Sequence, residues 1–295
     1  MAPPNKREGP VRCVADVAAV LGEGPVWVER EGALYWVDIT GRKIFRLEES
    51  GERTEWDTPV RVGSLIPRRG GGFIGGTDRG IALIEVERGK FDVVCEPESG
   101  RPSNRFNDGK TDRQGRLWAG TMDDEERQSS GALYRVGADF HCDRVDDGYK
   151  VTNGPAFSPD GTVMYVTDSA LQTIFAFDLD VSGAASGKRT FAQFGEGDGY
   201  PDGMTVDSDG NLWVAFWDGW CLRRIAPSGE TVERIAMPVQ RPTSCAFGGR
   251  DLNRLHVTSA TKGLTGEALR MQPCAGGLLL MDTDVRGIAE TPFAG

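Results

Sequence analysis

Four oxygen-bearing side chains of this 295-residue chain keep step with an internal repeat. Asn107, Asn153 and Asp202 each stand eight residues before a glycine that opens an apolar strand pattern (Gly115, Gly161 and Gly210), and Glu23 stands nine residues before Gly32. The same step reaches Gly63, beside Ser64, in another unit and Ser244 in the last. Carboxylate and amide oxygens are the ligands of hard cations such as calcium, magnesium and manganese. Taken singly, Asn107-Asp108-Gly109, Asn153-Gly154 and Asp202-Gly203 are ordinary turn sequences, and Glu23 is an ordinary loop residue. Independent turns have no reason to share a phase, whereas ligands of one ion must converge. With only two histidines, His141 and His256, a histidine-rich zinc site cannot form, although zinc or ferrous iron suits an oxygen-rich one.

The elements that must position these groups are short strands. Segments apolar on both faces recur at 32–37, 71–75, 115–119, 161–166, 210–214 and 252–257. Each is followed by a second one, at 43–47, 80–84, 131–136, 173–177, 221–225 and 277–281. The interval of roughly 40 to 50 residues is that of propeller blades. Gly, Asp and Ser clusters at 48–51, 180–183 and 227–229 read as hairpin turns, and no amphipathic helix of ten residues or more competes. The pattern predicts an all-β fold, a six-bladed β-propeller over residues 11–295, preceded by a disordered N-terminal tail over residues 1–10. The polar positions lead into the first strand of each blade, which lines the central channel, so they would meet on its axis.

Composition narrows the function. Hydrophobic residues make up 39% and charged residues 26%, with 40 glycines and 16 prolines, as in a turn-rich globular protein. A net charge of -10 disfavours nucleic acid and anionic membrane surfaces as partners. No 18-residue apolar run and no apolar signal-peptide core is found. The six cysteines, scattered without C-x-x-C spacing, read as small buried side chains, and together these features suggest a cytoplasmic protein. H-E-x-x-H, G-x-S-x-G and Rossmann glycine motifs are absent, and residues 182–188 resemble a phosphate loop too weakly to be more than an inter-strand loop.

At these residues the sequence resembles the family that includes regucalcin (senescence marker protein 30), gluconolactonases and bacterial aldonolactonases. The matching stretches are 21–27 (Leu-Gly-Glu-Gly-Pro-Val-Trp), 104–110 with 115–122, 152–155 with 158–161, and 200–204 (Tyr-Pro-Asp-Gly-Met). The resemblance implies a six-bladed propeller in which Glu23, Asn153 and Asp202 ligate one divalent metal ion, with calcium, zinc, manganese, magnesium and ferrous iron all open. It further implies that Arg105 and Asn107 contact substrate, that Glu125 reaches sugar hydroxyls, and that Asp202 is the general base. The expected reaction is hydrolysis of a small-molecule sugar lactone to the aldonic acid, with the metal as Lewis acid and either Asp202 or hydroxide on the metal activating water. Two alternatives share the fold: an arylesterase or phosphotriesterase using the same metal, and a non-catalytic calcium-binding propeller.

Overall fold

The computed structural model describes residues 11–295, so the tail expected over residues 1–10 lies outside the described residues. Six four-stranded antiparallel sheets follow one another as blades. Their innermost strands are Gly22–Val28, Ile66–Pro67, Asn104–Thr111, Thr152–Phe157, Tyr200–Val206 and Pro242–Gly248, for blades 1 to 6. The sixth blade takes its outermost strand from the other end of the chain: Arg12–Ala15 pairs antiparallel with Leu278–Asp282 and closes the ring. Among the described residues the one α-helix is Gly266–Met271, and no helix is long and apolar enough to cross a membrane.

The apolar character of both strand faces has a direct cause. Each sheet packs on two neighbours, and six buried clusters occupy the six blade interfaces. In Ala33–Asp38, Ala33, Tyr35 and Val37 face blade 2 with Phe73 and Ile84, while Leu34 and Trp36 face the last blade with Leu278. Alternation on a strand thus yields two apolar faces rather than one. The recurring apolar segment is the second strand of each blade. The polar-phase segment ahead of it is a strand in its own right, the innermost, which the spacing had placed only at the entrance of the first strand.

Those innermost strands share one irregularity. Pairing slips by one residue between Glu23 and Val26, Phe106 and Gly109, Asn153 and Ala156, Pro201 and Met204, and Pro242 and Ser244. A bulge of this kind leaves a residue outside the ladder and re-aims its side chain. The common sequence phase therefore falls at a common bulge: Asn107 and Asp202 lie within it, Glu23 and Asn153 are the last paired residues before it, and all four line one cavity at the axis. In blade 2 the same place is taken by Gly63, where a Cβ would come within 2.1 Å of the Asn107 carbonyl oxygen.

Buried aspartates fasten the turns. Asp207, fully buried, accepts hydrogen bonds from the Asp209 and Asn211 amides, from Trp213 Nε1 (2.9 Å) and from Arg224 Nε (2.9 Å). Asp112 does the same for Gln114, Arg116 and Trp118 one blade pair earlier. The C-terminal segment crosses the far face as a strap: Ser208 donates to the Arg286 carbonyl, Ala294 to Gly115, and Arg69 to Phe293, whose ring is fully buried.

Two stability predictions follow from these contacts. Asp207→Ala strands buried donors and should cost about 3 kcal/mol or more in urea unfolding, whereas Asp209→Ala, at an exposed carboxylate, should stay within about 0.5 kcal/mol. His256 is stacked on Trp27 (6.2 Å between ring centres) with no partner for Nδ1, and burial lowers its pKa to about 4. Because the unfolded chain binds the proton more readily, stability should fall as pH drops from about 6.5 to about 4, by roughly 3 kcal/mol. His256→Gln should flatten that part of the stability-pH curve.

Candidate active site and metal site at the channel mouth

Aspartates that end the second strands also fix the approach to the axis. Asp38 accepts the amides of Val20 (2.8 Å) and Leu21 (3.0 Å), just before Glu23. Asp168 accepts those of Lys150 (3.0 Å) and Val151 (3.2 Å), just before Asn153. These bonds hold the segments that open the innermost strands of blades 1 and 4.

Glu23, Arg105, Asn107, Asn153 and Asp202, from blades 1, 3, 4 and 5, line one cavity of about 450 Å³ at the mouth of the channel. A volume of that size suits a small ligand. All five side chains are buried, between 3% and 7% exposed, so their polar atoms face one another rather than bulk water. Glu125 does not join them. Asp123 Oδ2 accepts the Arg127 and Gln128 amides and Asp123 O accepts that of Glu126, and this turn sends Glu125 outward to an ion pair with Arg127 at 2.9 Å. The turn instead brings Glu126, in a left-handed conformation at φ 56°, to the cavity wall.

A continuous hydrogen-bonded chain sets the orientation of the amides. Asp124 is held by Arg61 (2.7 Å) and by Arg105 Nε (2.7 Å); Arg105 Nη1 donates to Asn107 Oδ1 (2.7 Å). Asn107 Nδ2 donates to Asn153 Oδ1 (2.9 Å) and the Thr152 carbonyl (2.8 Å), and Asn153 Nδ2 donates to Ser169 Oγ (2.9 Å). Ser169 in turn donates to the Pro201 carbonyl, beside Asp202 (2.6 Å). Since each amide nitrogen is used outward, Asn153 Oδ1 retains a lone pair for a ligand. Arg105 lines the cavity, and its bonds to Asp124, Phe106 and Asn107 use Nε and Nη1, so Nη2 has no hydrogen-bond partner among the described residues.

Electrostatically the site is unbalanced. Burial pushes the Glu23 carboxyl well above the usual carboxylate range, and the Asp202 charge adds to the shift. Asp202 is raised likewise, by burial and then by Asp108. Apart from local amides, Glu23 receiving that of Gly24 at 3.1 Å, neither carboxylate has an ion-pair partner among the described residues. Two buried like charges next to an oriented amide oxygen are a donor set that fits a hard divalent cation. Among the described residues no three of His, Cys, Asp and Glu come together as a metal site, so a cation here would take further ligands from water or substrate.

Sequence reasoning missed the supports of this chain. Asp124 sits inside an acidic run, Ser169 in an unremarked turn, and Asp108 was read only as part of a turn. Asp108 faces the narrow channel below the site, with its carboxyl raised to about 6 by burial.

Residues 21–261 match the model of the SMP-30/Gluconolactonase/LRE-like region. The chain is 34% identical to regucalcin of Xenopus laevis, with 97% of this chain and 98% of that one covered. It is 35% identical to a 6-deoxy-6-sulfogluconolactonase of Pseudomonas putida, over 97% of this chain and 99% of that one. It also superposes on a crystal structure of a calcium-binding protein, regucalcin of Agrobacterium tumefaciens, with a TM-score of 0.93 and 28% identity, covering 97% and 98% of the two chains. On the match to the family model, the full-length relatives and the shared six-bladed propeller, this chain belongs to the SMP-30/gluconolactonase/LRE-like family.

Proposed function

We propose that the chain is a lactone-hydrolysing carboxylic ester hydrolase, acting on a sugar lactone to give the aldonic acid. What supports this is the convergence of Glu23, Asn153 and Asp202 with Arg105 and Asn107 on one cavity, together with relatives that bear lactonase names. Glu23, Asn153 and Asp202 would hold one divalent cation, which when bound supplies Lewis-acid polarisation of the lactone carbonyl.

The chain's own groups do the rest. Arg105 presents its free Nη2 edge to the oxygen on which negative charge develops, and its other nitrogens, fixed by Asp124 and Asn107, keep that edge in place. Asn107 is held by Asn153 and the Thr152 carbonyl, so it positions the cavity wall on which ring hydroxyls rest. Asp202 takes the proton from the attacking water. The role rests on its place in the cavity beside the metal-holding groups, since a bound cation would offset the rise that burial gives its carboxyl. The opened ring leaves as a carboxylate, by the same mouth through which the lactone came.

Glu23→Gln and Asp202→Asn should each lose bound metal and lower lactone hydrolysis by about a hundredfold or more. Metal content and rate are measured together, at mildly acidic pH where spontaneous hydrolysis is slow. Full metal and full rate in both variants would overturn the assignment. In metal-free protein the loss of the Glu23 charge should be stabilising. A carboxyl raised in the folded state stabilises below its unfolded pKa of about 4, and that contribution is lost as pH rises through the folded value. Metal-free Glu23→Gln should therefore unfold at higher temperature than metal-free wild type at pH 7 to 8, with the gap closing toward pH 4.

A further inference from the structure

We propose that the arc of the mouth formed by blades 4, 5 and 6 is a subsite for an anionic substituent of the substrate, a sulfonate, phosphate or carboxylate on the carbon remote from the lactone carbonyl. Lys150 and Lys262 would hold the anion, on either side of an aromatic wall of Tyr200 and Trp217. This deepens the lactonase reading and rests on it.

All four residues line the cavity that contains Glu23 and Asp202. The two lysines are anchored at the backbone: the Lys150 amide donates to Asp168, and the Lys262 amide donates to the Val20 carbonyl (2.9 Å) while its own carbonyl receives Arg241. Their ammonium groups, by contrast, have no hydrogen-bond or ion-pair partner among the described residues. Arg105, the other cation on the wall, is already matched by Asp124 at 2.7 Å. The wall between the lysines is stiff, because the Arg241 guanidinium lies 4.7 Å over the Trp217 ring and is itself held by Asp218 (2.7 Å). Tyr200 is 43% exposed, an apolar surface on which a sugar ring can lie.

Charge balance points to the kind of occupant. A divalent cation offsets Glu23 and Asp202, and Asp124 offsets Arg105. Among the residues lining this cavity two lysines then face one carboxylate, Glu126, so the arc itself carries an excess positive charge in a protein whose net charge is -10. A neutral lactone leaves that charge unmatched; a lactone with one anionic arm matches it. In a molecule this acidic, local cations are also what admits an anion to the mouth at all.

The test uses the metal-loaded protein with glucono-1,5-lactone, its 6-phosphate, its 6-deoxy-6-sulfonate and a uronic lactone. The expected result is a kcat/KM at least about tenfold higher for one or more anionic substrates, carried by KM and shrinking as ionic strength rises from about 0.05 to about 0.5 M. The anion giving the largest gain identifies the substituent. Lys150→Met and Lys262→Met should each lower the ratio of anionic to neutral kcat/KM by about tenfold. A wild-type preference for the neutral lactone, or a ratio unmoved in both variants, would overturn the subsite while leaving the lactonase reading intact. If no lactone were turned over, the lactonase reading would fall, and calorimetric binding of 6-phosphogluconate against gluconate would decide the subsite. Tighter binding of the phosphorylated acid, lost in the lysine variants, would uphold it, and equal binding would end it.

Discussion

Two carboxylates from the first and fifth blades are buried together on the axis, and their repulsion is the condition around which the rest of the structure is arranged. Such a pair is costly in a low-dielectric site unless a cation or a proton intervenes. The propeller supplies the rigidity to keep it there. Each innermost strand is clamped by its own sheet and by apolar clusters on both sides, so Glu23 and Asp202 cannot simply swing apart into water. The bulges direct them inward, and the chain from Arg61 through Asp124, Arg105, Asn107 and Asn153 to Ser169 sets the polarity of everything around them. Strain, orientation and affinity for a positive charge thus come from one arrangement.

The two ends of the channel are built differently. At the mouth stands the roomy cavity with its free lysines and aromatic wall. Below it the space narrows to about 20 Å³ among Gly24, Ser64, Asp108 and Ser244, enough for about one water molecule. Beneath that, the Lys110–Glu290 ion pair (3.0 Å) and the C-terminal strap cover the far face. Arg68 belongs to this far side, where its Nε donates to the Gly295 carbonyl. The roomier approach to Asp202 is therefore from the mouth.

Much of this was legible in the sequence because periodicity carries topology. A repeat of glycine-opened apolar strands specifies blades, and side chains in phase with the repeat specify which positions face the axis. The phase marked Glu23, Asn107, Asn153 and Asp202 without revealing that a bulge, rather than a plain strand, aims them. Glu125 escaped the pattern because it stands in a run of acids where a one-residue difference decides which side chain turns inward. That choice depends on Asp123 capturing the amides that follow it, and no spacing rule encodes such a turn. Asp124, Ser169, Lys150 and Lys262 lie in the variable connections between strands, where local sequence sets no orientation. Composition likewise does not pair the half-buried Cys95 and Cys142, whose thiols meet across blades 2 and 3.

The closure of the ring by Arg12–Ala15 bears on how the molecule comes into being. That strand and its partner, Leu278–Asp282, stand at opposite ends of the described residues. Blades 1 to 5 are each built from consecutive strands, while the sixth needs this long-range pairing before the ring is sealed. The ring that sets Glu23 and Asp202 on one axis is thus sealed by a single pairing between segments far apart in the chain, not by a local hairpin.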